Sequence, residues 1–113
     1  MTERRVEWSD AARADLRAIV FHIAQDNVDN ALAVAERLEQ RVGALATLNA
    51  RGRTVPELQR MGKRHFRELI DGPWRILYLA EGSSVHIVAI VDSRRNLQDW
   101  LREQMIRFHQ AGA

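Results

Sequence analysis

The chain has 113 residues, 46% hydrophobic and 28% charged, with a net charge of +2 and no cysteine. Such a length suits one domain, residues 1–113, with a single core and no enclosed active site, and the composition excludes a disordered or fibrous chain. Without cysteine there are no disulfides, thiolate zinc sites or thiol nucleophiles, and the apolar runs fall far short of the roughly 20 residues needed to span a bilayer.

Alternation of Val6 and Trp8 with Arg5 and Glu7 predicts a first strand over Arg4 to Trp8. Ser9 is placed to cap a helix over 9–25, with Asp10 suiting the positive end of its dipole and Ala12, Leu16, Ile19, Val20 and Ile23 on one face. Asp26-Asn27 breaks that helix. A second follows, with Ala31, Ala35, Leu38, Val42, Leu45 and Leu48 at steps of three and four, so the pair is expected as an antiparallel hairpin.

Arg51-Gly52-Arg53-Thr54-Val55-Pro56 reads as a loop, after which the period changes. His65 to Ile70, Trp74 to Leu79 and Val85 to Val91 are predicted strands, connected through Asp71-Gly72-Pro73 and Glu81-Gly82-Ser83-Ser84 as an antiparallel meander. Leu97, Trp100, Leu101, Met105 and Phe108 then mark a C-terminal helix. The expected class is α+β in two layers: N-terminal strand, helix hairpin, three-stranded meander, C-terminal helix, with helices on one sheet face.

Charge is unevenly spread. Residues 1–50 carry six arginines and eight acids, whereas residues 51–113 carry eleven basic residues and seven acids. Arg51, Arg53, Arg60, Lys63, Arg64 and Arg67 face only Glu57 across one segment, which is either a solvated loop or a surface for an anionic partner or nucleic acid. Phosphate-binding glycine loops, a nucleophile elbow and a His-Glu-x-x-His pattern are absent, and His22, His65, His86 and His109 lack ligand spacing, so neither a metal nor another cofactor is expected.

A three-residue Asp71-Gly72-Pro73 loop sets Ile70 opposite Trp74. Alternation then puts Arg67, Leu69, Arg75 and Leu77 on an open face, and Phe66, Ile70, Trp74, Ile76 and Tyr78 under the helix hairpin. Arg94 and Arg95 follow the last strand and extend this arginine face. Glu68 falls on the core side, where it demands either a different register or an arginine that reaches it.

These residues resemble the toxins of the ParE and RelE superfamily, encoded in bacterial toxin-antitoxin modules. The resemblance runs through Val6-Glu7-Trp8-Ser9-Asp10-Ala11-Ala12, Asp15-Leu16, Ile19, Gly52-Arg53, Val55-Pro56-Glu57-Leu58, Arg67-Glu68-Leu69-Ile70 and Gly72-Pro73-Trp74-Arg75-Ile76-Leu77-Tyr78. It implies the fold just derived and a cytoplasmic toxin neutralised by a cognate antitoxin, of ribbon-helix-helix or similar DNA-binding type.

Two activities are implied by the superfamily. RelE-like members cleave messenger RNA on the ribosome; here Arg67, Arg75 and Arg94 match basic positions, with His65 or Glu68 as candidate base. Trp100 stands about where those nucleases have a catalytic tyrosine, and an indole cannot shuttle a proton at neutral pH. ParE-like members bind DNA gyrase and need no catalytic residues of their own. The Gly-Pro-aromatic-Arg-Ile-x-Tyr wording is closer to the ParE branch, which makes Arg67, Arg75, Arg94, Arg95 and Trp100 candidates for target or antitoxin binding. Asp92-Ser93-Arg94-Arg95 departs from the His or Gly often found there in that branch.

Overall fold

Each of the two long helices begins at a side-chain cap. The computed structural model describes residues 3–48, 51–94 and 96–103. Strand β1 (Arg5–Trp8) leads into Ser9, whose Oγ accepts from the Ala12 N–H at 3.0 Å and starts α1 (Asp10–Ala24). Asn27 Oδ1 accepts from the Asn30 N–H at 2.9 Å and starts α2 (Val28–Gly43), which packs back along α1. The predicted second helix is interrupted near Ala44, so Leu45 and Leu48 belong to a separate short α3 (Leu45–Leu48).

The expected loop after Asn49 is more structured than its composition suggests. Arg53 and Thr54 form a two-residue strand, β2 (Arg53–Thr54), and Pro56 opens a short helix, α4 (Pro56–Arg60), at the one helical position where a missing N–H costs nothing. The meander is β3 (Phe66–Asp71), β4 (Trp74–Glu81) and β5 (Ser84–Asp92), and residues 97–103 are helical from an Asn96 cap. The rest of the predicted C-terminal helix, to Phe108, lies outside the described residues.

All five strands form one sheet in the order β1-β5-β4-β3-β2, with β1 parallel to β5 and the other pairs antiparallel. On one face α1, α2 and α3 supply Ala12, Leu38, Val42 and Leu45 against Ile76, Tyr78, Val85 and Ile87. The expected open face is covered too. Val55 and Leu58 around α4, with Leu97 and Trp100 from the C-terminal helix, pack there on Leu77, Ala89 and Val91. The domain therefore has helices on both faces of its sheet.

The hairpin register differs from the sequence expectation. Asp71 pairs with Trp74 and Ile70 with Arg75, leaving a two-residue Gly72-Pro73 turn in which Gly72 takes the left-handed φ of +55°. Gly first is the composition of a II′ hairpin turn. Asp71 extends the strand because Arg37 and Arg41 of α2 hold its carboxylate at 2.9 and 3.2 Å. Since side chains alternate, this one-residue change reverses which residues share a face. Arg67 and Leu69 now lie with Ile76 and Tyr78 toward the helix hairpin, whereas Phe66, Glu68 and Ile70 lie with Arg75 and Leu77 on the opposite face.

A bulge at Val88 keeps both faces of β5 apolar. Leu77 pairs with Ala89 but Tyr78 pairs with Ile87, leaving Val88 as the extra residue. The helix-α1 end takes up the disturbed backbone: Ser9 Oγ donates to the Val88 carbonyl at 2.9 Å, and the Ile90 N–H donates to Asp15 Oδ2 at 2.9 Å.

Candidate functional site

The register change gathers a buried ion-pair network where an open arginine face was expected. Arg75 is only 6% exposed. Its Nε donates to Glu68 Oε1 at 2.6 Å, and its Nη1 and Nη2 donate to the two oxygens of Glu57, each at 2.9 Å. Arg53 Nε reaches the remaining Glu68 oxygen at 2.7 Å. Glu68 is 1% exposed, and both of its oxygens are occupied by guanidinium groups.

Physical necessity links these contacts to the fold. A carboxylate buried at Glu68 is expensive unless paired, and the fork of Arg75 satisfies it while clamping Glu57 in the first turn of α4. The hydrogen bonds from Arg75 hold the Glu57 carboxyl down to about 2, and the bond to Glu57 raises the Arg75 pKa in turn. The network thus latches α4 to the centre of the sheet.

Arg67 stands on the other face and does something else. Its Nη1 donates to the Gly52 carbonyl at 2.7 Å, and the Gly52 N–H donates to the buried Tyr78 hydroxyl at 2.9 Å. Burial pushes the Tyr78 hydroxyl pKa up. A Cβ on Gly52 would collide with the Tyr78 ring and hydroxyl and lie 2.7 Å from the Glu68 carbonyl, so only glycine fits this crossing.

Arg94 is exposed and folds back on Asp92, with Nη2 to Oδ2 at 2.7 Å and Nε to Oδ1 at 3.0 Å. That contact holds the Asp92 carboxyl down to about 2. His65 is exposed, immediately before β3. Trp100 is 8% exposed and packs in the second core cluster. It also lines an apolar groove of about 310 Å³ with Leu58, Met61, Phe66, Val88 and Leu101. Arg95 lies outside the described residues.

The candidates are accordingly not one constellation. Arg67 and Arg75 occupy opposite sheet faces, Arg75 and Glu68 satisfy each other, and Arg94 sits on its own acid. Glu57 and Arg53, which complete the network, carry no local signal: Glu57 is 18 residues from Arg75, and the two meet only through folding. Among the described residues, no group of three or more His, Asp or Glu is placed to hold a metal ion, and no helix is long and apolar enough to cross a membrane.

Comparison with known proteins gives this arrangement a family. The family described as the ParE toxin of the type II toxin-antitoxin system, parDE, matches residues 6–97. The chain belongs to the ParE toxin family. No curated protein matches it significantly. Among solved structures, a chain from the chromosomal ParDE toxin-antitoxin system of P. aeruginosa shares the fold, with a TM-score of 0.66 at 22% identity over 80% of this chain and 96% of that one. The ParE match runs from β1 to the first residue of the C-terminal helical segment, so it contains the Arg75 network, the Gly52–Tyr78 crossing and α4.

Proposed function

We propose that this ParE-family toxin acts in the cytoplasm by binding DNA gyrase, and that a cognate ParD-type antitoxin neutralises it. The observation that carries this reading is the state of Arg75. Metal-independent cleavage of RNA requires cations free to meet a phosphate and groups free to move protons. Arg75 instead spends its guanidinium on two carboxylates inside the protein, and Glu68, a candidate base, is enclosed by two arginines. Trp100, near the place of a nuclease tyrosine, is packed against the sheet. These groups support a scaffold that works by binding.

Purified protein should inhibit gyrase supercoiling and leave message on programmed ribosomes uncut. Expression of the chain alone should arrest bacterial growth, and coexpression of its antitoxin should restore it. Cleavage of A-site message together with untouched gyrase activity overturns the assignment in favour of a RelE-type nuclease.

A further inference from the structure

Charges around β2, α4 and the start of β3 divide into two sets. Arg53, Arg75, Glu57 and Glu68 pair with one another, and their charges sum to zero. That network consumes both acids of the region. Arg51, Arg60, Lys63 and Arg64 are exposed, and neither they nor Arg67 form a salt bridge among the described residues. Arg60 feels Glu57 only at a distance, while Arg75 holds both Glu57 oxygens. Some arginines elsewhere are paired, since Arg37 and Arg41 share Asp71, Arg94 sits on Asp92, and Arg102 approaches Asp99, whereas Arg4, Arg13 and Arg17 also have no salt bridge among the described residues.

The uncompensated cations stand on a fixed frame. The segment leaves the sheet at β2 and returns beside it, with Thr54 paired to Arg67 and Arg53 to Glu68. Helix α4 ends in a Schellman turn, the Lys63 N–H donating to the Leu58 carbonyl at 2.8 Å and the Gly62 N–H to the Gln59 carbonyl at 3.0 Å, with Gly62 at φ +81°. Buried Val55 and Leu58 pin this excursion to the second core cluster. Much of the backbone ordering that a partner would otherwise impose is therefore already in place.

We propose that this edge binds the phosphate backbone of duplex DNA without reading its sequence. Three of the four exposed cations, Arg51, Arg60 and Arg64 beside Lys63, are arginines, whose planar forks match phosphate oxygens. A single strand is favoured where aromatic side chains give its bases a stacking platform, but among the described residues the one exposed Phe, Tyr or Trp is Phe21, on α1. Binding of this kind is electrostatic and weakens steeply with salt. The proposal goes beyond the gyrase reading and is tested on protein and DNA alone, so the failure of either leaves the other standing.

The full chain is titrated against a fluorescent mixed-sequence duplex of about 20 base pairs, read by anisotropy at several salt concentrations. Non-specific binding predicts Kd in the range of about 10⁻⁴ to 10⁻⁶ M at physiological salt, and four contacts predict a log–log salt slope of at most about −3.6. The variant R60Q/K63Q/R64Q should bind at least tenfold more weakly at low salt and flatten the slope by about 2.7. R13Q/R17Q, which removes charge from α1, should change affinity less than threefold. Melting by circular dichroism checks the fold of each variant, and the wild-type salt slope tests the proposal even if the triple variant unfolds. A salt-independent or undetectable interaction, equal losses in the two variants, or preference for single-stranded DNA or poly-glutamate overturns it.

Discussion

Replacing Arg75 by methionine keeps most of the stem volume and removes the guanidinium that joins α4 to the sheet. Breaking a buried ion pair by deleting one partner costs about 3–5 kcal/mol, chiefly because the other charge is left buried. The lower end applies here. Glu68 keeps Arg53 at 2.7 Å, and the Glu57 side chain is 20% exposed and can recover water. A loss of about 3 kcal/mol is large against the roughly 5–15 kcal/mol that holds a domain together. In melting temperature it corresponds to a drop of roughly 10–20 °C for a domain of this size. Urea unfolding followed by circular dichroism measures the loss directly. The triple variant E57Q/E68Q/R75M removes the charges together and should recover much of the stability, because the uncompensated carboxylates are gone. A loss below about 1 kcal/mol in R75M, or a triple variant no more stable than the single one, would refute the claim that the network latches α4.

Other substitutions probe separate links. Gly52→Ala should destabilise by about 1–3 kcal/mol through overpacking against Tyr78, and Tyr78→Phe by a similar amount because the Gly52 N–H loses its acceptor; chemical denaturation reads both. The Glu57 carboxyl has a pKa of about 2 in the folded protein and 4.5 as its ordinary value, so its contribution is fully present above about pH 4.5 and disappears as pH falls toward 2. Stability of Glu57→Gln should consequently fall less steeply across that window than that of the wild type, compared by urea titrations at pH 5, 4 and 3. Trp100→Phe should retain packing and growth arrest, whereas Trp100→Ala should lose about 3 kcal/mol or more in the same denaturation assay.

The strands and long helices were legible because their signals are local. Ser9 and Asn27 cap helices within three residues, and the alternation of Val6 with Trp8 or Ile76 with Tyr78 is visible in any short window. Asp71 was not legible as a strand residue because Asp-Gly-Pro reads as a turn, and the two arginines that hold it come from α2, 34 and 30 residues earlier in the chain. One residue of extension then reversed the facing of Arg67 relative to Arg75. The demand that Glu68 find a partner was legible in the sequence, and both of its solutions occur together: the register differs and arginines reach it. Strand β2 and helix α4 were read as loop because two strand residues and a five-residue helix give too few repeats for a period.

The same short segment makes charge and architecture pull in opposite directions. Removing the charge of Glu57 makes the β2 edge one unit more positive, which by field alone favours any anionic partner. It also frees the first turn of α4, the element that carries Arg60 and leads into Lys63 and Arg64. The field of one added charge is screened within about 10 Å at 0.1 M salt. Loss of the frame, by contrast, acts on every cation of the edge at once, because each side chain must then be ordered again on binding. The paired acids therefore contribute to an electropositive surface by holding it in shape, and a count of charges along the sequence assigns them the opposite role.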